Sequence, residues 1–155
     1  MRKEGRWAKQ MLAGGVLKRE TCEPNEDSSV AMLMALPAPD GVVRQYVESA
    51  VSWSTVTPVI LPGHDDRNPI KAERLLRTAL TQAGYAKELI DQSELEWRQV
   101  GYRAGVDLAS RYLPPENLNH QSRCHVRIRF PQAIAGPLAI GSGRFRGFGL
   151  FAAES

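Results

Sequence analysis

Cysteine and long apolar runs are both scarce in this sequence of 155 residues. The two cysteines, Cys22 and Cys124, do not form a CxxC pair, so the sequence argues against a disulfide framework and a structural zinc site and predicts buried free thiols. No stretch approaches the roughly 20 apolar residues of a membrane-spanning helix. The opening residues, MRKEGRWAKQ, lack the apolar centre of a signal peptide. We therefore expect a globular cytoplasmic protein with no membrane partner.

Histidine is scarce too, and lysine is missing from the last third of the chain. Three scattered histidines, His64, His120 and His125, are too few for the ligand clusters of metal phosphohydrolases, so we expect no metal and no cofactor. Residues 97–155 contain eight arginines, no lysine and three acids, whereas residues 30–96 carry a net charge of −3. Guanidinium groups bind phosphate bidentately and stack on bases, so the arginine-rich part is expected to contact a polyanion. Solvated surface arginines are the alternative.

Hydrophobic periodicity predicts a mixture of strands and helices. Asn68 and Pro69 begin a helix that runs to Gly84, with Lys71 and Arg74 outside its apolar stripe, where they are solvated or touch a polyanion. The remaining predictions are strands at residues 30–37, 52–61, 94–102, 124–130, 136–143 and 148–153, a helix at residues 42–51, and loops at residues 1–29 and 103–123. No strong helix separates the later strands. This order favours an α+β fold with helices on one face of an antiparallel sheet.

The segment CHVRIRF, residues 124–130, has the clearest period of two in the chain. Apolar residues at alternate positions predict one face that packs on the core. The opposite face carries His125, Arg127 and Arg129, and Arg123 stands just before the segment. The pattern therefore predicts a strand with a cationic surface.

A glycine-rich loop, GSGRFRGFG, follows this strand. Glycine lets the backbone approach a ligand and present N–H groups to phosphate oxygens, while guanidinium groups add charge and phenylalanines add stacking surface. The loop lacks the ending of a Walker P-loop, and no helix follows it as in a dinucleotide site. A glycine-rich hairpin with solvated arginines is the structural alternative. The predicted nucleic-acid-binding residues of the loop are Gly141, Gly143, Arg144, Arg146, Gly147 and Gly149.

The second candidate site is the loop PGHDDR between the strand at residues 52–61 and the following helix. A histidine in such a loop is accessible and can transfer protons near neutral pH. Asp65 and Asp66 are equally consistent with helix capping, and His64 with an ordinary surface residue. A metal-dependent phosphoesterase using His64, Asp65 and Asp66 is a further alternative.

Taken together, TVTPVILPGHDD, HVRIRF and GSGRFRGFGLFA resemble the C-terminal half of the Cas five/Cas six fusion proteins of type I-G CRISPR systems, formerly called I-U. The resemblance covers residues 52–153, and the glycine loop is similar to the signature loop of the repeat-associated RNA-binding (RAMP) superfamily. It implies a ferredoxin-like βαββαβ fold over residues 51–155. Residues 1–50 are then a linker or part of a preceding ferredoxin-like unit, and the chain is a fragment or a separately expressed domain.

The resemblance also implies a function and a catalyst. It implies cleavage of CRISPR repeat RNA into guide RNA without a metal, by attack of a ribose 2′-hydroxyl on the adjacent phosphate, and assembly with other effector subunits. Histidines in or before the first helix are common catalysts in such ribonucleases, so His64 is the candidate acid or base and His125 the reserve. Arg144 or Arg146 would stabilise the negative charge that develops on the phosphate. The competing hypothesis is a subunit that holds the RNA handle without cutting it.

Overall fold

The computed structural model describes residues 16–18, 29–32 and 41–154. The chain divides into two units, Met1–Asp40 and Gly41–Ser155. In the first unit, strands β1 (Val16–Lys18) and β2 (Ser29–Met32) pair antiparallel, with Val16 opposite Met32. Of the helices in the described ranges, none has the length and apolar content to cross a membrane.

The second unit contains three α-helices and five strands. In chain order they are α1 (Gly41–Val47), β3 (Ser49–Thr55), β4 (Val59–Ile60), α2 (Pro69–Gln82), α3 (Lys87–Asp91), β5 (Glu94–Arg98), β6 (Arg123–Ala135) and β7 (Phe151–Ala153). Three single-turn 3₁₀ helices lie at Ala109–Arg111, Glu116–Leu118 and Arg144–Arg146. Helices and strands are thus mixed, and the prediction of an α+β fold is confirmed at this level.

A curled antiparallel sheet is built around the 13-residue strand β6. β5 pairs with β6, with Leu95 opposite Ile128, and β3 also pairs with it, with Trp53 opposite Ile128. β7 pairs with the free edge of β3, and β4 pairs with the start of β6. The order across the sheet is therefore β5, β6, β3, β7, and the loop after β4 starts beside the N-terminal end of β6.

Helix α2 begins where the sequence predicts, because its first turn is capped. The Asn68 side-chain oxygen accepts hydrogen bonds from the backbone N–H groups of Ile70 (2.9 Å) and Lys71 (3.3 Å), and Pro69 occupies the first turn. The helix gives way to Gly84, whose φ is 94°. Its buried face carries Ala72, Leu76, Ala79 and Leu80. Each leucine buried there stabilises the fold by about 1.5–3 kcal/mol.

Several predicted boundaries moved because pairing with β6 and β7 overrides local pattern. The strand expected at residues 52–61 is two strands, separated where the backbone N–H groups of Val56 and Thr57 turn to the Leu150 carbonyl. The helix expected at residues 42–51 ends at Val47, since β3 begins at Ser49.

Two further strand predictions were too long. Other predictions fall mostly on residues that the structure does not describe. The strand expected at residues 136–143 is wrong: it is reduced to one isolated bridge between Ala139 and Leu150. β7 covers only the second half of the strand expected at residues 148–153. The strand expected at residues 30–37 overlaps β2, and its remainder, like most of the predicted loop at residues 1–29, lies outside the described residues.

Candidate functional site

His125 does not lie on an exposed cationic face, so that part of the strand prediction is wrong. Its side chain is fully buried on the face of β6 that the chain around Tyr102 to Tyr112 covers. The imidazole Nε2 lies 2.9 Å from the Asp107 carbonyl oxygen, and Nδ1 lies 3.0 Å from Thr55 Oγ1. Burial lowers the pKa of His125, with a smaller contribution in the same direction from the Arg98 charge. The ring is a neutral structural group that no solvent-borne substrate reaches.

The two arginines that share this face differ in how far they are neutralised. Arg127 Nε lies 3.1 Å from Glu154 Oε1, its Nη1 lies 3.7 Å from Glu96 Oε2, and its guanidinium sits 4.6 Å over the Tyr102 ring. Arg129 is exposed, and its guanidinium has no hydrogen bond or ion pair within residues 41–154. On this face Arg127 is therefore neutralised by two carboxylates, whereas the Arg129 guanidinium, with Glu94 opposite it on β5, forms no ion pair among the described residues.

The backbone of the glycine loop, residues 141–149, is largely committed to the fold. Five of its N–H groups donate to protein carbonyls, including Ser142 to Ile60 (3.0 Å) and Gly149 to Pro58 (2.9 Å). A Cβ on Gly149 would stand 1.9 Å from the Ile140 carbonyl oxygen, and one on Gly141 2.6 Å from the Ile60 carbonyl oxygen. Close packing explains these two glycines, and five of the nine N–H groups of the predicted backbone cradle for phosphate are already used in internal hydrogen bonds.

At the tip of the same loop Phe145 and Arg146 face solvent, whereas the half-buried Arg144 donates to the carbonyls of Gly141 and Gln82, each at 3.3 Å. Phe145 is 85% exposed, and the Arg144 guanidinium lies 4.4 Å over its ring. Arg146 is exposed and donates from Nη1 to Asn117 Oδ1 at 3.1 Å. Phe148 is half-buried beside Gly143, so it packs within the fold. We call Arg144, Phe145 and Arg146 the RFR turn; it presents one aromatic face between two cations.

The loop between β4 and α2 holds His64 on its exposed side. Its neighbour Asp65 accepts a 2.6 Å hydrogen bond from the Ser122 hydroxyl, which joins this loop to the start of β6. Asp66 is paired with Lys71, and that ammonium lowers the pKa of the Asp66 carboxyl. Asp66 and Arg67 both adopt left-handed backbone angles, with φ of 53° and 58°. Two successive strained non-glycine residues are uncommon outside functional loops.

A cleft of about 490 Å³ opens beneath this loop. Its apolar lining comes from Leu61, Pro69, Ala72, Trp97 and Cys124. Its polar lining comes from Asp65, Arg67, Asn68, Arg98, Gln99, Ser110, Gln121, Ser122 and Arg123. The cleft therefore combines apolar and polar surface, and three of its lining residues are arginines.

The polar groups of this cleft are not all satisfied by the protein. Arg98 donates to the carbonyls of Val100 and Gly101, and Arg123 Nη1 donates to the Tyr112 carbonyl at 3.2 Å. The Arg67 guanidinium has no partner in residues 41–154. Gln121 Oε1 is buried and has no hydrogen-bond donor within the described part of the chain. Buried acceptors without a donor are rare and call for an explanation.

The described residues contain neither a reactive cysteine nor a cluster of metal ligands. Burial raises the pKa of the Cys124 thiol to about 12, so the thiol is protonated, and the prediction of a buried free thiol is confirmed for it. Cys22 lies outside the described residues. Where the structure describes the chain, no three His, Cys, Asp or Glu side chains are grouped to share a metal ion.

The structure brings together some of the predicted residues and adds others. Arg123 lines the cleft beside the His64 loop, while Arg144 and Arg146 belong to the separate RFR turn. Lys71 is neutralised by Asp66, and the exposed guanidinium of Arg74 has no hydrogen bond or ion pair among residues 41–154. Sequence reasoning missed Arg67 and Gln121. Arg67 follows two aspartates and precedes the helix cap, and this position was the only sequence feature that could have indicated its role. No sequence feature near Gln121 indicates a role for that residue.

Comparison with known protein families gives a match over nearly the whole chain. The family model described as CRISPR-associated protein, GSU0054 family (Cas_GSU0054), matches residues 2–153. No curated protein and no solved structure matches the chain.

Proposed function

The chain belongs to the CRISPR-associated GSU0054 family, and from this premise we propose that it binds CRISPR repeat RNA and cuts it into guide RNA. The observation that carries the proposal is the RFR turn. A phenylalanine ring that is 85% exposed and stands between two arginines suits a base-stacking platform. Arg144 and Arg146 beside it supply charge for the flanking phosphates.

The strand order supports the ferredoxin-like part of the proposal. If β3, β5, β6 and β7 are counted as strands one to four, their order across the sheet is 4-1-3-2 and all neighbours are antiparallel. This is the order of a βαββαβ fold, with α2 as its first helix. The second helix is replaced by residues 136–150, which hold only the 3₁₀ turn Arg144–Arg146. The glycine loop thus occupies the place of a helix.

His64 is the proposed proton-transfer residue. Cleavage without a metal requires a base that takes the proton of the 2′-hydroxyl, while its oxygen bonds to phosphorus, and an acid that protonates the departing 5′-oxygen. The His64 imidazole is exposed on a strained loop, and Arg67, three residues on, carries an unpaired charge that can stabilise the phosphorane. His125, the reserve candidate, is buried and takes no part in the proposal.

A second proton-transfer group is needed, and we assign it to His120. This histidine is exposed and lies two residues before Ser122. Ser122 binds the His64 loop twice, through its hydroxyl to Asp65 and through its carbonyl, which accepts from Leu61 N–H at 3.0 Å. The two histidines therefore stand on loops that are fastened to each other.

The wider biological setting follows from the same proposal. The chain would work with other subunits of a CRISPR effector complex in the cytoplasm and would need no cofactor. We assign RNA processing to the Cas-six-like part of a Cas five/Cas six system, over residues 51–155, with residues 1–50 as a linker or part of a second ferredoxin-like unit. The competing function is an RNA-handle-binding subunit that does not cut.

The decisive experiment is incubation of labelled repeat RNA with the full chain in EDTA. We expect cleavage that survives chelation and yields a 2′,3′-cyclic phosphate and a 5′-hydroxyl. His64→Ala should abolish cleavage but keep RNA affinity, and added imidazole should restore part of the rate, because it replaces the missing proton carrier without repairing structure. His120→Ala should reduce the rate of cleavage and likewise keep RNA affinity.

Other outcomes distinguish the alternatives. Binding of repeat RNA without any product would replace the enzyme by the handle-binding subunit. Activity that EDTA abolishes would favour a metal-dependent phosphoesterase using His64, Asp65 and Asp66. Thr78→Ala, at an exposed position on α2, is the control variant and should leave the cleavage rate unchanged.

A further inference from the structure

We infer that the cleft between the β4–α2 loop and the start of β6 holds one unpaired nucleotide, with its base beside Trp97 and Gln121 and its phosphate at Arg67 and Arg123. The inference deepens the proposed function and rests on it, because it names what the loop that carries His64 recognises. Neither the sequence patterns nor the family match assigns any role to this cleft.

The size and lining of the cleft suit a nucleobase. Its volume of about 490 Å³ falls within the roughly 300–1,000 Å³ of small-molecule sites. Leu61, Ala72 and Cys124 give it an apolar floor, and the partly buried Trp97 adds an aromatic surface. A bare inorganic anion would make no favourable contact with these apolar side chains. Unstacked RNA bases are bound by aromatic and apolar surfaces of this kind.

Gln121 supplies the feature that points to a base edge. Its Oε1 atom is buried and has no donor in the described residues, and a rotation of the side chain toward the cleft that Gln121 lines would let it accept from an N–H group of a ligand. A backbone phosphodiester cannot fill this need, because its oxygens carry no hydrogen and can only accept. Base edges place an N–H donor next to an acceptor, and a carboxamide pairs with both at once. The amide of Gln121 is therefore assigned to the base and the arginines to the backbone.

The charges around the cleft fit a single phosphate group. Arg67 has no partner among residues 41–154, and Arg123 uses Nη1 on the Tyr112 carbonyl, which leaves its other N–H groups for a ligand. The nearby carboxylates are occupied: Asp65 accepts from Ser122 Oγ and from Arg67 N–H, and Asp66 is paired with Lys71. Lys71 neutralises Asp66, and the charge that Asp65 keeps is opposed by Arg67 and Arg123 in the same cleft.

The test is a titration of the full chain with each of the four nucleoside 5′-monophosphates and with inorganic phosphate, followed by NMR. The indole N–H signal of Trp97 is the reporter, assigned by its loss in Trp97→Phe. We expect at least one nucleotide to shift this signal and to bind at least about tenfold more tightly than phosphate. Gln121→Leu should weaken that nucleotide about tenfold or more, because the base donor loses its acceptor.

Gln92→Leu is the matched control, since Gln92 is an exposed glutamine outside the cleft and should bind like the parent chain. Gln121→Leu should be as stable as the parent or more stable, because it removes an unsatisfied buried acceptor. Reduced binding in it therefore cannot be attributed to unfolding. Nucleotides that bind no more tightly than phosphate, or an affinity unchanged in Gln121→Leu, would overturn the inference.

Failure of this inference is distinguishable from failure of the proposed function. If repeat RNA is bound and cut while mononucleotides leave the Trp97 signal unmoved, the cleft assignment fails alone. If mononucleotides bind as expected but repeat RNA is neither bound nor cut, the cleft stands as a nucleotide site and the proposed function fails.

Discussion

The Asp65 carboxylate accepts a 2.6 Å hydrogen bond from the Ser122 hydroxyl, across 57 positions of sequence. This hydrogen bond connects the loop that carries His64 to the start of β6. Because Asp65 and Ser122 both line the cleft, it also connects two sides of the cleft. A hydrogen bond to a charged acceptor is stronger than one between neutral groups. The geometry of the proposed site therefore depends on this pair.

Removing that hydrogen bond should affect both stability and turnover. We expect Ser122→Ala to lower the free energy of unfolding by about 1–2 kcal/mol, since the half-buried Asp65 loses its donor. Its cleavage rate should fall while RNA affinity is kept, because His64 is less well positioned. Urea unfolding and single-turnover kinetics measure the two effects. Ser110→Ala, an exposed serine that also lines the cleft, should change stability by no more than about 0.5 kcal/mol, and an equal effect in both variants would contradict the assignment.

Phe145 should contribute to RNA binding far more than to folding. We expect Phe145→Ala to weaken RNA binding by about 1–3 kcal/mol, the usual loss for one stacked base, and to leave the unfolding free energy within about 0.5 kcal/mol. Leu113, which is 89% exposed, provides the control, because Leu113→Ala removes a comparably exposed apolar side chain outside the RFR turn. Filter binding and urea unfolding suffice. Equal affinities for the two variants would argue against stacking.

Arg127 and Arg129 should differ in their contribution to salt dependence. We expect Arg129→Ala to reduce the slope of log affinity against log salt by up to about 0.7–0.9, the value for one lost phosphate contact, because its guanidinium has no ion pair within residues 41–154 and only Glu94 stands opposite it on β5. Arg127→Ala should change the slope much less, since Glu96 and Glu154 already neutralise that guanidinium. Affinity measured at four or more salt concentrations gives both slopes. A larger effect at Arg127 would contradict the electrostatic description of this face.

His125 should make the fold sensitive to acid. Its native pKa is lowered from the ordinary 6.5, so below pH 6.5 the unfolded chain binds a proton that the native chain does not. The stability linked to this residue is therefore fully present above pH 6.5 and is lost as the pH falls toward the native pKa. Urea midpoints between pH 5 and pH 8 measure it. His125→Gln should flatten this dependence, and a curve that keeps its shape would show that another group is responsible.

Prediction from sequence succeeded where the signal is local. The Asn68 cap, Pro69 and the spacing of Leu76, Ala79 and Leu80 each act within one or two turns, so α2 was predictable at both ends. Strand β6 was predictable for the same reason, since its alternation is internal to the segment. Strand ends were not, because they depend on where a partner strand stops.

The site was harder to predict because burial is a property of the whole sheet. Alternation placed His125 correctly on the face opposite Val126, but no local pattern shows that the chain near Asp107 covers that face and binds the ring. Gln121 acquires its meaning only from the cleft around it. Residues distant in sequence create these environments, and a period of two carries no information about them.

The sequence by itself determined the mixture of helices and strands, helix α2, strand β6 and the concentration of arginine in the last third of the chain. Composition and short-range periodicity report what each segment can form alone. Only the tertiary structure decided which of those charges are free. It paired Arg127 with two glutamates, bound the Arg144 guanidinium to the carbonyls of Gly141 and Gln82, and left Arg129 and Arg146 exposed. The reason is that hydrogen bonds and ion pairs form between neighbours in space, and folding alone selects those neighbours.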